Sequence, residues 1–182
     1  MIYMFLANGF EEIEALCPLD LLRRAGLEVT TVGVGTDTVT GAHGISVLSD
    51  MPATHYRDSS PEMIILPGGM PGTTNLEGSD TVQAAISAAS RRGAYIAAIC
   101  AAPMVLGKRG LLKGKRATCF PGFEQYLEGA EVDTESAVVR DGSIITAAGM
   151  GAALEFGLEL VAVFKGREYA EELRHAVIAD RK

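Results

Sequence analysis

Apolar positions along this chain fall into short consecutive runs that alternate with longer amphipathic stretches, starting at the first residues. Ile2 to Ala7 is apolar at nearly every position, the pattern of a strand covered on both faces. After Asn8-Gly9 the spacing predicts a helix from about Glu11 to Ala25, with Ile13, Leu16, Cys17 and Leu21 as its apolar positions. Its end, Arg23-Arg24-Ala25-Gly26, places bases in the last turn and a glycine able to take the left-handed stop. Leu27 to Val34 reads as a strand. Thr38 to Leu48 reads as two short β segments around Gly41-Ala42-His43-Gly44, a hairpin-like excursion. Met63 to Leu66 is another buried strand. A helix capped by Ser79 or Asp80 runs to Arg91-Arg92-Gly93.

The second half continues the alternation. Ala94 to Ile99 is a strand leading into Cys100, and Ala101 to Lys108 is a short helix interrupted by Gly107 and Gly110. Thr118 lies near the end of a further strand, and Ala137 to Ala147 is a hairpin turning at Asp141-Gly142. Gly151 to Lys165 and Glu168 to Ala179 are two closing helices parted by Gly166. Strands and helices alternating at these lengths predict βαβ units: a three-layer α/β domain over residues 1–182, with a mostly parallel sheet.

Composition narrows the classes. With 182 residues, a domain can remove about 70% of its unfolded surface from water, so it needs no metal or disulfide framework. Cys17, Cys100 and Cys119 are odd in number and widely spaced, and His43, His55 and His175 lie far apart, so no disulfide or zinc pattern is present. A net charge of −7 argues against nucleic-acid and anionic-membrane partners. The opening Met-Ile-Tyr-Met-Phe carries no basic leader, and no apolar run reaches the roughly 18 residues of a membrane span. The expectation is a cytoplasmic protein with free thiols and no cofactor.

In a parallel sheet, function gathers at the carboxyl ends of strands. Cys100 falls there, between Tyr95-Ile96-Ala97-Ala98-Ile99 and Ala101-Ala102-Pro103. Small Ala98 and Ala102 suit the sharp turn of a nucleophile elbow, and Pro103 fits a first helical turn. A helix start beside the thiol is expected to lower its pKa. A buried core cysteine is the alternative; the strand end, small neighbours and helix start favour the nucleophile. Glu14 shares a helix face with Cys17 and Leu21, so its carboxyl is expected to be desolvated, raised and able to donate to a thiolate. By itself it would read as a solvated first-turn acid. In Leu66-Pro67-Gly68-Gly69, the glycines permit close approach of a ligand, and backbone amides there and at Ala101 suit an oxyanion. No phosphate-loop pattern is present, and no helix is expected directly after this turn.

Taken together, Gly9-Phe10-Glu11-Glu12-Ile13-Glu14, Asp20-Leu21-Leu22-Arg23-Arg24-Ala25-Gly26, Leu66-Pro67-Gly68-Gly69 and Ala97-Ala98-Ile99-Cys100-Ala101-Ala102-Pro103 resemble the ThiJ/PfpI superfamily. Within it they resemble the branch of parkinsonism-associated deglycases and glyoxalase III-like proteins. The resemblance runs almost end to end. It implies a flavodoxin-like, class I glutamine amidotransferase-like sandwich and a homodimer. It assigns the reactive thiol to Cys100, the protonated acid to Glu14 and the oxyanion amides to Gly69 and Ala101. Gly68, His43, Phe120 and Arg24 become candidates for the pocket lining.

The departures from the family's pattern are informative. Ala101 stands where protease-like and chaperone-like branches carry a histidine, which argues against a Cys-His peptidase. Phe120 stands before Pro121 where the deglycase branch often has a histidine. His43 replaces an arginine near the partner subunit's site, and Met150 replaces a proline. Cys17 and Cys119 read as packing or interface residues, His55 and His175 as surface ones. The function implied is a cofactor-free, cysteine-dependent enzyme acting on small aldehydes or reactive dicarbonyls, or on their adducts. The alternative is a stress sensor whose Cys100 is oxidised to a sulfinate. A flavin or nucleotide binder ranks last.

Overall fold

The computed structural model describes residues 1–58 and 60–180. Among these, seven strands form the main sheet. From edge to edge they are β10 (Val138–Asp141), β11 (Ile144–Ala147), β7 (Tyr95–Ile99), β6 (Met63–Leu66), β1 (Ile2–Ala7), β2 (Val29–Val34) and β5 (Met51–Pro52). All neighbours are parallel except β10 with β11, the hairpin expected around Asp141-Gly142. β3 (Thr38–Thr40) and β4 (Ser46–Leu48) form the second hairpin, and β8 (Arg116–Ala117) pairs with β9 (Glu131–Val132).

Alternate residues of the strands feed two cores. Met4, Leu6, Met63, Ile65, Ala97, Ile99 and Ile145 face α1 (Glu12–Arg24), α5 (Ala153–Lys165) and α6 (Arg167–Ala176). Phe5, Ala7, Ile64, Leu66, Ile96, Ala98 and Ile144 face α2 (Gly72–Glu77), α3 (Asp80–Arg92) and α4 (Pro103–Gly107). The two-residue period of a strand sends neighbouring side chains to opposite faces, so both must be apolar. Continuous runs such as Met63-Ile64-Ile65-Leu66 follow from that demand. The architecture is the expected three-layer, mostly parallel α/β sandwich.

Helix limits obey the expected end chemistry. Ser79 caps α3 by accepting from the Val82 amide, and Gly93 closes it in the left-handed region at φ 67°. Differences arise where elements are short or helices are buried unevenly. β5, β8 and β9 have two residues each, too few for a periodicity to register. A helix does follow the Pro67-Gly68-Gly69 turn: α2 starts at Gly72 without a side-chain cap. In α1 the inward face is Glu14, Ala15, Pro18, Leu19, Leu21 and Leu22, whereas Ile13 is 49% exposed and Leu16 and Cys17 are half-buried. The stripe read as core-facing is therefore rotated, and its Ile13 edge meets water. Among the described residues no helix is long and apolar enough to cross a membrane.

The order of the strands sets where a site can form. From β1 the chain steps outward to β2, then returns to β6 on the other side and proceeds to β7 and β11. Beyond the carboxyl ends of β1 and β6 the connections diverge, which leaves a crevice at the switch point. α1 and α5 pack tightly below it: a Cβ on Gly157 would stand 2.6 Å from Leu21 Cδ1 and 2.9 Å from Pro18 Cα. Gly157→Ala is therefore expected to lower stability by about 1–3 kcal/mol, read as a lower urea midpoint at unchanged slope.

Candidate active site

Three chain segments meet at the switch point: the start of α1, the turn after β6 and the turn after β7. Cys100 adopts φ 64°, one of two non-glycine residues in the left-handed region among those described. Such a conformation costs on the order of 1–2 kcal/mol and persists because its surroundings impose it. Its amide donates to the Ala147 carbonyl at the end of β11 (2.9 Å), and its carbonyl accepts from the Phe120 amide (2.9 Å). Ala98, Ala101 and Ala102, all buried, leave room for the turn. The chain thus leaves β7 at an angle that sets the thiol apart from the strand's own side chains.

Glu14 reaches the same place from the first turn of α1 and is 1% exposed. Glu11 caps the helix by accepting from the Glu14 amide at 2.8 Å, and the Glu11 amide donates to the Gly68 carbonyl at 2.9 Å. The Gly68 amide in turn donates to Glu14 Oε2 at 3.0 Å. A Cβ at Gly68 would lie 2.4 Å from Glu14 Oε2 and 2.6 Å from Cys100 Cβ. Glycine is required there because the carboxyl and the thiol close on its α-carbon from two sides.

The electrostatics follow from burial. Removal from water pushes the Glu14 carboxyl up to about 7; the Glu11 charge adds to the rise, while hydrogen bonds to Cys100 and the Gly68 amide oppose it. Burial likewise pushes the Cys100 thiol up to about 12, reinforced by the Glu14 charge, against the pull of the Ala101 and Gly69 amides on its sulfur. The raised carboxyl agrees with the sequence reading. The thiol lowered by a helix start does not: α4 begins three residues later, has five residues, and is outweighed by desolvation. Two buried acids in contact carry one negative charge between them before a second becomes costly. A thiolate is held when Glu14 keeps its proton and its O–H donates a hydrogen bond to the sulfur.

The other candidates separate. The Gly69 and Ala101 amides lie near enough to the Cys100 sulfur to pull its thiol down, and Gly68 holds Glu14. Phe120 is tied to Cys100 through the backbone, and its ring is 47% exposed beside Gly149. With Met150, 54% exposed, it supplies apolar surface at this end of the sheet. Arg24 is a correction. It lies ten residues along α1 from Glu14, about 15 Å at the helical rise, and pairs with Asp20 at 2.5 Å. In its own chain it lines a separate cavity with Cys17, Leu154 and Val177. His43 is exposed on the β3–β4 loop and directs Nδ1 to Glu12 Oε2 at 2.9 Å. Cys17 is half-buried, Cys119 is buried, and His55 and His175 are on the surface.

Glu12 is the residue that sequence reasoning missed. It is 2% exposed and anchors the hairpin loop through the amides of His43 (2.7 Å) and Ile45 (3.4 Å). Its place in an acidic first turn gave no hint of burial; only the hairpin's position over the helix start distinguishes it from a solvated acid. Glu11, Glu12 and His43 bring ligand-type atoms within 4.8 Å of one another. Both Glu12 oxygens already accept hydrogen bonds, so that cluster is explained without an ion.

Comparison with known proteins decides the family, because the model of the DJ-1/PfpI family matches residues 1–163. The chain belongs to the DJ-1/PfpI family. It is similar to protein DJ-1 homolog B of Arabidopsis thaliana, 38% identical over 92% of this chain and 39% of that one. The chain thus spans about two fifths of that relative's length. It is also similar to the glutathione-independent glyoxalase DJR-1.2 of Caenorhabditis elegans, 32% identical over 90% of this chain and 87% of that one. The crystal structure of Drosophila melanogaster DJ-1beta superposes with a TM-score of 0.92 at 32% identity, covering 97% of this chain and 96% of that one. The flavodoxin-like sandwich expected from the sequence is the fold these proteins share.

Two measurements test the site. Alkylation of Cys100 by iodoacetamide is expected to accelerate only towards the thiol's raised value, and to do so at lower pH in Glu14→Gln, which lacks the carboxylate charge that lifts the thiol. Stability has a definite sign as well. Glu14 holds its proton to about 7 when folded but to about 4.3 when unfolded, so between those values the native state binds more protons. Wild-type stability should therefore fall as pH rises across that window, by on the order of 3–4 kcal/mol. The difference from Glu14→Gln, followed by calorimetry from pH 4 to 8, isolates this contribution.

Proposed function

We propose that this protein is a cofactor-free, cysteine-dependent enzyme that converts reactive dicarbonyls such as methylglyoxal, or their adducts, into hydroxy acids. The observation that carries the reading is a thiol in a left-handed turn that closes on Gly68 together with the buried Glu14 carboxyl, with two backbone amides near its sulfur. The family and its glyoxalase-named relative support it.

The residues divide the chemistry as follows. With the pair's single charge on sulfur, the thiolate attacks the aldehyde carbon and a C–S bond forms. The alkoxide that develops lies against the Gly69 and Ala101 amides and takes the proton of Glu14. Glu14, now a carboxylate, removes the proton from the former aldehyde carbon to give an enediol, the hydroxyl proton passes from the first oxygen to the second, and Glu14 returns its proton to the adjacent carbon. The result is a thioester of a 2-hydroxy acid. Water cleaves it, releasing the acid and restoring the thiol. One carbon is oxidised and its neighbour reduced, so no external electron carrier enters the balance. Phe120 provides no proton at the site's edge, which leaves Glu14 to carry each transfer.

The same geometry supports a second reading, in which peroxide oxidises the sulfur to a sulfinate whose oxygens accept from Glu14 and the two amides. We place either activity in a homodimer in the cytoplasm, without nucleic-acid or membrane partners. Ile13 and Ile45 are exposed, and the Ile45 amide is tied to Glu12 beside Ile13; this apolar surface suits a second copy, and light scattering reads that state.

Wild-type protein incubated with methylglyoxal is expected to release lactate while its thiol stays at its original mass. Cys100→Ala should release none, and Phe120→His should raise turnover by supplying a second proton carrier. Equal lactate from wild type and Cys100→Ala sinks the enzyme reading. A gain of two oxygens confined to Cys100 after mild peroxide, without turnover, establishes the sensor instead.

A further inference from the structure

The hairpin loop and the buried carboxyl are joined by a chain of charges that the proposed chemistry does not use. His43 lies at the tip of the β3–β4 hairpin, and its Nδ1 stands 2.9 Å from Glu12 Oε2 and 3.9 Å from Glu11 Oε1. Both carboxylates sit at the start of α1, and Glu11 is bonded to the Glu14 amide. The hairpin, Thr38 to Leu48, carries no other charged residue, and among the described residues no Lys or Arg pairs with Glu11 or Glu12. His43 is therefore the positive charge that offsets two carboxylates placed directly before Glu14.

We propose that His43 is a positioning and charge-balancing residue for Glu14, so that protonation of the hairpin loop sets how readily the buried carboxyl ionises. Two couplings run the same way. In the electrostatic one, the Glu11 charge already opposes ionisation of Glu14. When the imidazolium loses its proton, Glu11 and Glu12 stand uncompensated and Glu14 holds its own proton more firmly. In the mechanical one, Glu12 binds the loop through the His43 and Ile45 amides, and the Ala42 amide donates to the Phe10 carbonyl at 2.7 Å. Loss of the imidazolium loosens the loop from the turn that carries Glu11.

The window has two edges. Bonding to Glu12 raises His43 above its ordinary 6.5, so the attraction is complete below that value and is lost as pH rises through the folded pKa. Burial would raise Glu12, but bonds from the His43 ring and from the His43 and Ile45 amides outweigh it and hold Glu12 below 4.5. The clamp fails on the acid side as pH falls through that lowered value. Between these edges the loop is held and Glu14 ionises most easily. The consequence for turnover rests on the function proposed above; the linkage itself does not.

The test uses intact protein carrying 13C at glutamate carboxyls, with Glu14 assigned by its loss in Glu14→Gln. In His43→Asn the Glu14 midpoint is expected to move up by several tenths of a pH unit. In His43→Arg, whose charge is permanent, it should move down. Hydrogen exchange at the His43 and Ile45 amides, corrected for intrinsic pH dependence, should become about tenfold faster above the His43 midpoint in wild type and stay level in His43→Arg. Unchanged Glu14 midpoints in both variants, or wild-type protection that ignores the His43 titration, overturns the proposal. Methylglyoxal turnover on the same samples separates the two readings: a moved midpoint without lactate leaves the linkage standing and removes the enzyme.

Discussion

The structure around the site depends on a shared proton. Glu14 and Cys100 are both withdrawn from water and in contact, so the pair bears a single negative charge and its location decides what the site can do. Every neighbouring feature serves that contact. Gly68 has no side chain because the carboxyl and the thiol occupy the space around its α-carbon. Cys100 accepts an unfavourable backbone conformation because a relaxed one would turn the sulfur away from Glu14. The Gly69 and Ala101 amides provide the positive ends of dipoles that a buried anion needs when no cation is near.

That contact also explains why the three-layer fold suits this chemistry. The connections leaving β1 and β6 diverge, so the start of α1 and the turn after β6 face each other across a narrow gap, with the end of β7 beside them. Rigid strands on one side and a capped helix on the other fix the distances, and capping by Glu11 ties the two together. Buried charge is tolerated because the Gly68 amide donates to the carboxyl and further amides lie near the sulfur.

Much of this was legible in the residues. The unbroken apolar run Ile2 to Ala7 implied a strand with both faces covered, and the basic-then-glycine endings at Gly26 and Gly93 marked helix stops that the structure keeps. Cys100 stood out because a strand, small neighbours and a proline surround it. Less was legible wherever the outcome depended on a distant segment. Ile13 fits an apolar stripe, yet α5 and the sheet contact the adjacent face of α1 and leave it exposed. Arg24 follows the family's motif, yet it lies at the far end of α1 from Glu14, paired with Asp20. Glu12 and Glu14 look alike in the first turn; one anchors a hairpin and the other meets a thiol.

The sequence alone determined the kinds and order of elements, the strand end that bears the thiol and the family to which those motifs point. These depend on period, capping and local sterics, which act within a few residues. Tertiary structure alone decided which acids are buried, which way the thiol's pKa moves and which charge faces Glu14. Desolvation and Coulomb attraction depend on what surrounds a group in space. For Cys100 those surroundings come from Glu14, Gly69 and Phe120, residues far apart along the chain.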